Sequence, residues 1–204
     1  MNTEQLIALT QEQIPDAALA MDSADVPMLV NLLSEKKDAV RYAAFQLLQC
    51  RSAKVADVYP FWDTFCTKLH SENSYQRSLG IMLLAENTKW DAENKMESTI
   101  PTCLSILKDN KPITLRQGIQ SLGKIAEAKP TLGGLIAEAI AAIDIASIRE
   151  TMRKCVLLDS LRVLATIRQH YTSDAVDAFI FNALTGGVLD RNSEREMRAL
   201  FSWK

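Results

Sequence analysis

Few stretches of this sequence place reactive residue types at spacings that could do chemistry. GIQSLGKI, residues 118 to 125, spells the G-x-x-x-x-G-K of a loop whose backbone N–H groups cradle phosphates. The match then breaks off, because Ile125 stands where a nucleotide loop needs Ser or Thr for magnesium, and the segment reads as the inside of a helix. Gly118 and Gly123 fit close helix contact instead. The two histidines, His70 and His170, stand near predicted helix C-termini, and no H-E-x-x-H or Cys/His cluster accompanies them. There is no G-x-S-x-G elbow, and Asp and Glu are too widespread to single out a general acid. The chain therefore reads as non-enzymatic, with no catalytic residue, metal ligand or cofactor.

Cys50, Cys66, Cys103 and Cys155 lie far apart with no C-x-x-C pair, and three of them fall among apolar residues at helical spacing. That is the pattern of buried thiols in a reducing compartment rather than of a disulfide or zinc framework. Among the aromatics, Trp62 is expected in the core, Trp90 at the start of a polar connection as a surface anchor, and Trp203 over the last helices or on a partner.

The elements that would position these residues are helices. Of 204 residues, 48% are hydrophobic and 24% charged, with only 7 Gly and 6 Pro, a composition that favours an all-α fold over a turn-rich sheet protein. The net charge of −2 is uneven: residues 1 to 102 hold 9 Lys and Arg against 14 Asp and Glu, and the remainder 14 against 11. Neither half is a polycation, so the charge gives no support to tracking along a phosphate backbone. The N-terminus lacks a basic region followed by an apolar run, and Glu138 and Asp144 interrupt the most apolar stretch, residues 132 to 148. A cytoplasmic protein with no membrane contact is expected.

A repeat runs along the chain. Aligned on Arg41, Arg77 and Arg116, the sequence reads RYAAFQLL, RSLGIMLL and RQGIQSLG, with Ala44, Leu47, Leu79, Leu83, Ile119 and Leu122 on one helical face. Lys154, with Arg153 as the alternative, anchors a fourth copy, and the intervals are 36, 39 and 38 residues. Pro27, Pro60 and Pro101 each open an apolar segment 14 to 17 residues ahead of the arginine, as suits a first helical turn. Residues 130 to 144 give a first helix without proline, and Ser147 with Glu150 forms a capping-box pattern before a helix to about Tyr171. Asp174 to Leu184 stops at Gly186 and Gly187, and Ser193 with Glu196 opens a last short helix. The expected organisation is one domain: a cap over 1–25, four repeats over 26–171, and a C-terminal helix pair or cap over 172–204.

A proline in a first helix, a polar turn, then Asp-x-x-Arg opening an Ala- and Leu-rich second helix resembles the HEAT-repeat family and its armadillo relatives, over residues 26 to about 165. The resemblance implies an α-α superhelix of about five helix pairs. It also implies a structural ladder to which Asp38, Arg41, Arg77 and Arg116 belong, with Arg41 at the seam between repeats. In such solenoids the second helices line a concave surface, which here would present Tyr42, Gln46, Gln49, Ser78, Met82, Gln117, Ser121 and Lys124. That polar set, with one aromatic and one Met, suits an adaptable protein- or peptide-binding face. The alternative is a nucleic-acid-binding or DNA-repair protein of helical-repeat architecture, which calls for a basic, aromatic groove and a poised carboxylate.

Overall fold

The computed structural model describes residues 3–201, and its regular secondary structure is helical throughout, with no strand among the described residues. Trp203 lies outside them. The helices are α1 (Thr3–Ile7), α2 (Ile14–Ala20), α3 (Val26–Leu32), α4 (Asp38–Ser52), α5 (Trp62–Leu69), α6 (Ser74–Asn87), α7 (Lys95–Ser105), α8 (Pro112–Ala128), α9 (Gly133–Ala141), α10 (Glu150–Ile167), α11 (Asp174–Thr185) and α12 (Arg191–Phe201). They pack as two compact units, Met1–Met96 and Glu97–Lys204.

Long helices alternate with short ones. The long ones, α4, α6, α8 and α10, begin at residues 38, 74, 112 and 150, that is, at intervals of 36, 38 and 38. Each buries a stripe of the predicted kind: Ala44, Leu47 and Leu48 in α4, Leu79, Leu83 and Leu84 in α6, Ile119 and Leu122 in α8, Val156, Leu157 and Leu161 in α10. Numbering from the helix starts corrects the sequence alignment at two places. The fourth residue of each long helix is Arg41, Arg77, Leu115 and Arg153, so Arg116 and Lys154 stand one residue beyond the arginine position. Pro112, which supplies the first helical residue of α8, sets that register.

The prolines divide. Pro27 occupies the first turn of α3 as expected. Pro60 sits in a 3₁₀ turn over Ala56–Phe61, ahead of α5. Pro101 lies inside α7, because Asp91 accepts from the backbone N–H groups of Lys95 and Met96, both at 2.9 Å, and starts that helix earlier. The expected capping box at Ser147 is absent: Ser147 Oγ donates to the Asp144 carbonyl, and α10 starts without a side-chain cap. Likewise Asp190, not Ser193, caps α12, accepting from the N–H groups of Asn192 and Ser193 at 3.1 and 3.0 Å.

In the first unit α1, α2 and α3 pack on α4, α5 packs on α6, and α4 on α6. Trp62 is buried between them, as expected. Glycine at 80 lets α6 approach α5, since a Cβ there would stand 2.7 Å from the Phe65 carbonyl oxygen. Trp90 is half-buried rather than a surface anchor, its Nε1 donating to the Ser52 carbonyl at 2.7 Å. Arg51, 5% exposed, donates to the carbonyls of Ala18 and Met21, both at 2.9 Å, to Ser23 Oγ at 3.2 Å, and to both oxygens of Asp57. Burial pushes the Asp57 carboxyl up, but hydrogen bonds from Arg51 and Ser23 outweigh it and hold it below its ordinary value.

In the second unit α8 packs on α10, α9 on both, α11 on α9 and α10, and α12 on α10 and α11. Gly118 and Gly123 do serve close contact: a Cβ would meet Ile106 Cγ2 at 2.4 Å and Val163 Cγ2 at 2.8 Å. Polar contacts in both units join residues about one helix pair apart, including Gln11 with Gln46, Lys68 with Ser34, Asn87 with Ser52, Tyr171 with Glu138, and Arg162 with Glu196.

Candidate functional site

In three of the four long helices an arginine fastens the helix to the turn before it. Arg41 Nη1 donates to the Glu35 carbonyl at 2.8 Å, its other terminal nitrogen pairs with Asp38, and its guanidinium carbon lies 4.4 Å from the Tyr75 ring centroid on α6. Asp38 thus pairs within its own helix, and the tie to the next long helix is a cation–π contact. Arg77 Nη1 donates to the carbonyls of Ser71 and Glu72, at 2.8 and 2.9 Å. Arg153 donates from Nε to the Ile148 carbonyl at 2.8 Å and from Nη2 to the Ala146 carbonyl at 2.6 Å. Arg116, one residue on, reaches across to α10 instead: its Nε donates to Asp159 Oδ2 at 2.6 Å, and Gln120 donates to Asp159 Oδ1 at 3.0 Å. The hydrogen bond to Asp159 raises Arg116 above its ordinary value, so it stays charged.

Of the candidate surface residues in the first unit, Tyr42 is 48% exposed, whereas Gln46, Gln49 and Met82 are half-buried. Gln46 exchanges amide hydrogen bonds with Gln11 at 2.7 and 3.2 Å, and Gln49 donates to Glu86 at 3.2 Å. Tyr42 lines an open hollow with Asp38, Ala39, Arg41, Asn73 and Tyr75. Ser78 does not reach the surface: it is 4% exposed, covered where α6 packs on both α5 and α4.

In the second unit Lys124 is exposed and Gln117 half-buried, but Ser121 is 4% exposed. A one-residue shift turns a helical side chain by about 100°, which carries Ser121 into the α8–α10 contact and brings Gln120 out. The residues missed by the sequence reading are therefore Arg116 and Gln120 as neighbours on one face, together with Asp159 that holds them. Pro112 at a first helical position was the signal for the correct register.

Four cations of the second unit have acidic partners. Besides Arg116 with Asp159, Lys154 pairs with Asp190, Arg162 with Glu196 at 3.0 Å, and Arg168 with Asp177. Hydrogen bonds from Lys154 and then from the Ser193 N–H hold Asp190 far below the usual carboxylate range. Among the described residues no group of three or more His, Cys, Asp and Glu side chains is placed to hold a metal ion, and no helix is long and apolar enough to cross a membrane. Cys50, Cys66, Cys103 and Cys155 are free thiols, and burial followed by the nearby Glu86 pushes Cys50 up, away from the reactive thiolate. No family model matches the chain, and neither does any curated protein or solved structure.

Proposed function

We propose that this chain is a HEAT-like helical solenoid that acts as a non-enzymatic scaffold or adaptor, binding a protein or peptide partner on the surface presented by its long helices. The observation that carries this reading is the recurrence itself. Four long helices start 36 to 38 residues apart, three with an arginine at the fourth position bonded to the carbonyls of the preceding turn. Repeated helix pairs that contact mainly their neighbours generate extended surfaces for macromolecules rather than enclosed reaction sites. Tyr42, exposed in an open hollow with Asn73 and Tyr75, supplies the aromatic anchor that such surfaces use. Four free thiols support a reducing, cytoplasmic setting.

The pairing of Arg116, Lys154 and Arg162 with carboxylates weighs against phosphate clamps, because a nucleic acid would have to displace those acids. The test is to isolate the partner with the tagged full chain, then measure its affinity for wild type and for the Tyr42→Ala/Gln46→Ala variant. The variant should bind about thirtyfold more weakly or worse, the size of a hot-spot truncation near 2 kcal/mol, with its thermal midpoint retained. The same proteins are titrated with a DNA duplex at two salt concentrations. Salt-sensitive DNA binding that is kept in the Tyr42/Gln46 variant and lost on neutralising Arg116, Lys124 and Lys154 would overturn the proposal.

A further inference from the structure

A second feature of the second unit is a cleft of about 890 Å³ between the turn that joins α7 to α8 and the turn that joins α9 to α10. Its volume falls within the range of about 300 to 1,000 Å³ typical of sites that take a small ligand or a few side chains. Leu104, Leu107, Leu115, Ile143 and Ile148 give it an apolar lining. Of these only Leu115 is fully buried, so the others hold apolar surface open to solvent along one concave wall.

The charges at the rim are not equivalent. Asp109 Oδ1 accepts from the Lys111 N–H at 2.9 Å, and Asp144 Oδ1 accepts from the Ala146 N–H at 3.0 Å, so each acid has one oxygen engaged by its own turn. Lys108 and Arg149, one on each turn, are exposed, and neither side chain has an ion-pair or hydrogen-bond partner among the described residues. They differ in this from Arg116, Lys154 and Arg162, which all have carboxylate partners in the same unit. The two longest helices, α8 and α10, also begin at this rim without a side-chain cap. Their residues before the first turn are Lys111 and Arg149, where Ser, Asp or Asn would ordinarily supply an acceptor. A carboxylate from outside the chain would meet both needs.

We propose that this cleft docks a short acidic segment of a partner protein, an aliphatic side chain seated among Leu104, Leu107, Ile143 and Ile148 and flanking carboxylates meeting Lys108 and Arg149. The aliphatic anchor supplies the burial and the paired charges set its orientation. The site is separate from the long-helix surface around Tyr42 and does not depend on it.

The test is fluorescence anisotropy on the full chain. The probe is a short fluorescein-labelled peptide with a Leu-Leu pair flanked on both sides by glutamates. Two control peptides carry lysine in place of glutamate or serine in place of leucine. Two variants are measured, Lys108→Glu/Arg149→Glu, which reverses exposed and unpartnered charges, and Ala142→Trp, which fills the cleft from its exposed edge. The acidic leucine peptide should bind wild type, both control peptides should bind about tenfold more weakly or not at all, and each variant should lose about tenfold or more. Amide shifts of the labelled protein should cluster in residues 104–115 and 142–149. The proposal is overturned if the acidic leucine peptide fails to bind, if either control peptide binds as well, or if the charge-reversed variant keeps wild-type affinity.

Discussion

Arg51→Ala is the sharpest test of how the first unit is held together. The side chain is almost fully buried and makes six hydrogen bonds, three of them to Asp57 and two to backbone carbonyls on α2 and just beyond it. Truncation leaves the Ala18 and Met21 carbonyls without this donor and leaves the Asp57 carboxylate, whose side chain is 21% exposed, without its cation and with Ser23 Oγ still donating to it. Breaking a buried ion pair from one side costs about 3 to 5 kcal/mol, and the partial exposure of Asp57 places this case near 3. Asp57→Asn keeps an acceptor but removes the charge, and should cost about 1 to 2 kcal/mol. The double variant should lose less than the two single losses added together, because the partners share one interaction. Urea unfolding followed by tryptophan fluorescence in a Trp203→Phe background reads the unit, both Trp62 and Trp90 lying within it. Asp57 is held below its ordinary value of 3.8, so its contribution is present above that value and is lost as pH falls through the lower folded one. Wild type should therefore lose stability below pH ~4 by this route, and Arg51→Ala should show a flatter acid limb. A shift under about 1 kcal/mol for Arg51→Ala at neutral pH would refute the reasoning.

Leu83→Ala, at a fully buried position on the α6 stripe, should cost about 2 to 5 kcal/mol in urea unfolding, and an unchanged midpoint would mean the stripe is misassigned. Gly80→Ala forces a methyl against the Phe65 carbonyl and should lower stability by about 1 to 3 kcal/mol, even though alanine is the better helix former; a stabilised variant would contradict the close α5–α6 approach. Tyr59 donates to buried Asp91 at 2.9 Å, and burial together with that bond pushes its hydroxyl up to about 12. A raised folded value means stability that is full below about pH 10 and lost as pH climbs toward 12, so Tyr59→Phe should cost about 1 kcal/mol at neutral pH and remove that alkaline loss, as followed by circular dichroism.

The all-helical fold and the buried stripes were legible because apolar residues at positions such as Ala44, Leu47, Leu79 and Leu83 recur at helical period and face a neighbour wherever they recur. Pro27 was legible because its ring suits a first helical turn, where the missing N–H would have had no partner. Register in α8 was not. An arginine attracts the alignment, yet Pro112 decides where the helix begins, and one residue of error turned Ser121 inward. Ser78 misled differently: a small hydroxyl is tolerated on a covered face, so its polarity carries no directional signal. The partnership of Arg116 with Asp159 depends on how α8 and α10 cross, which no local spacing encodes, and that of Arg51 with Asp57, six residues on, depends on the turn that follows α4. At Ser147 two plausible caps compete within four residues, and the Asp144 carbonyl and carboxylate take the interactions there.

The polar contacts between neighbouring pairs also bear on how fast the chain can fold. Gln11 with Gln46, Ser34 with Lys68 and Ser52 with Asn87 in the first unit, and Glu138 with Tyr171, Lys154 with Asp190 and Arg162 with Glu196 in the second, join residues 33 to 36 apart. Bringing such residues together closes a loop of nearly constant length, whose entropic cost grows only by about 0.6 kcal/mol for each doubling. Once one pair has formed, the next meets the same closure cost against a surface already in place. Within each unit, ordering can therefore spread from one helix pair to the next without raising the barrier of any single step.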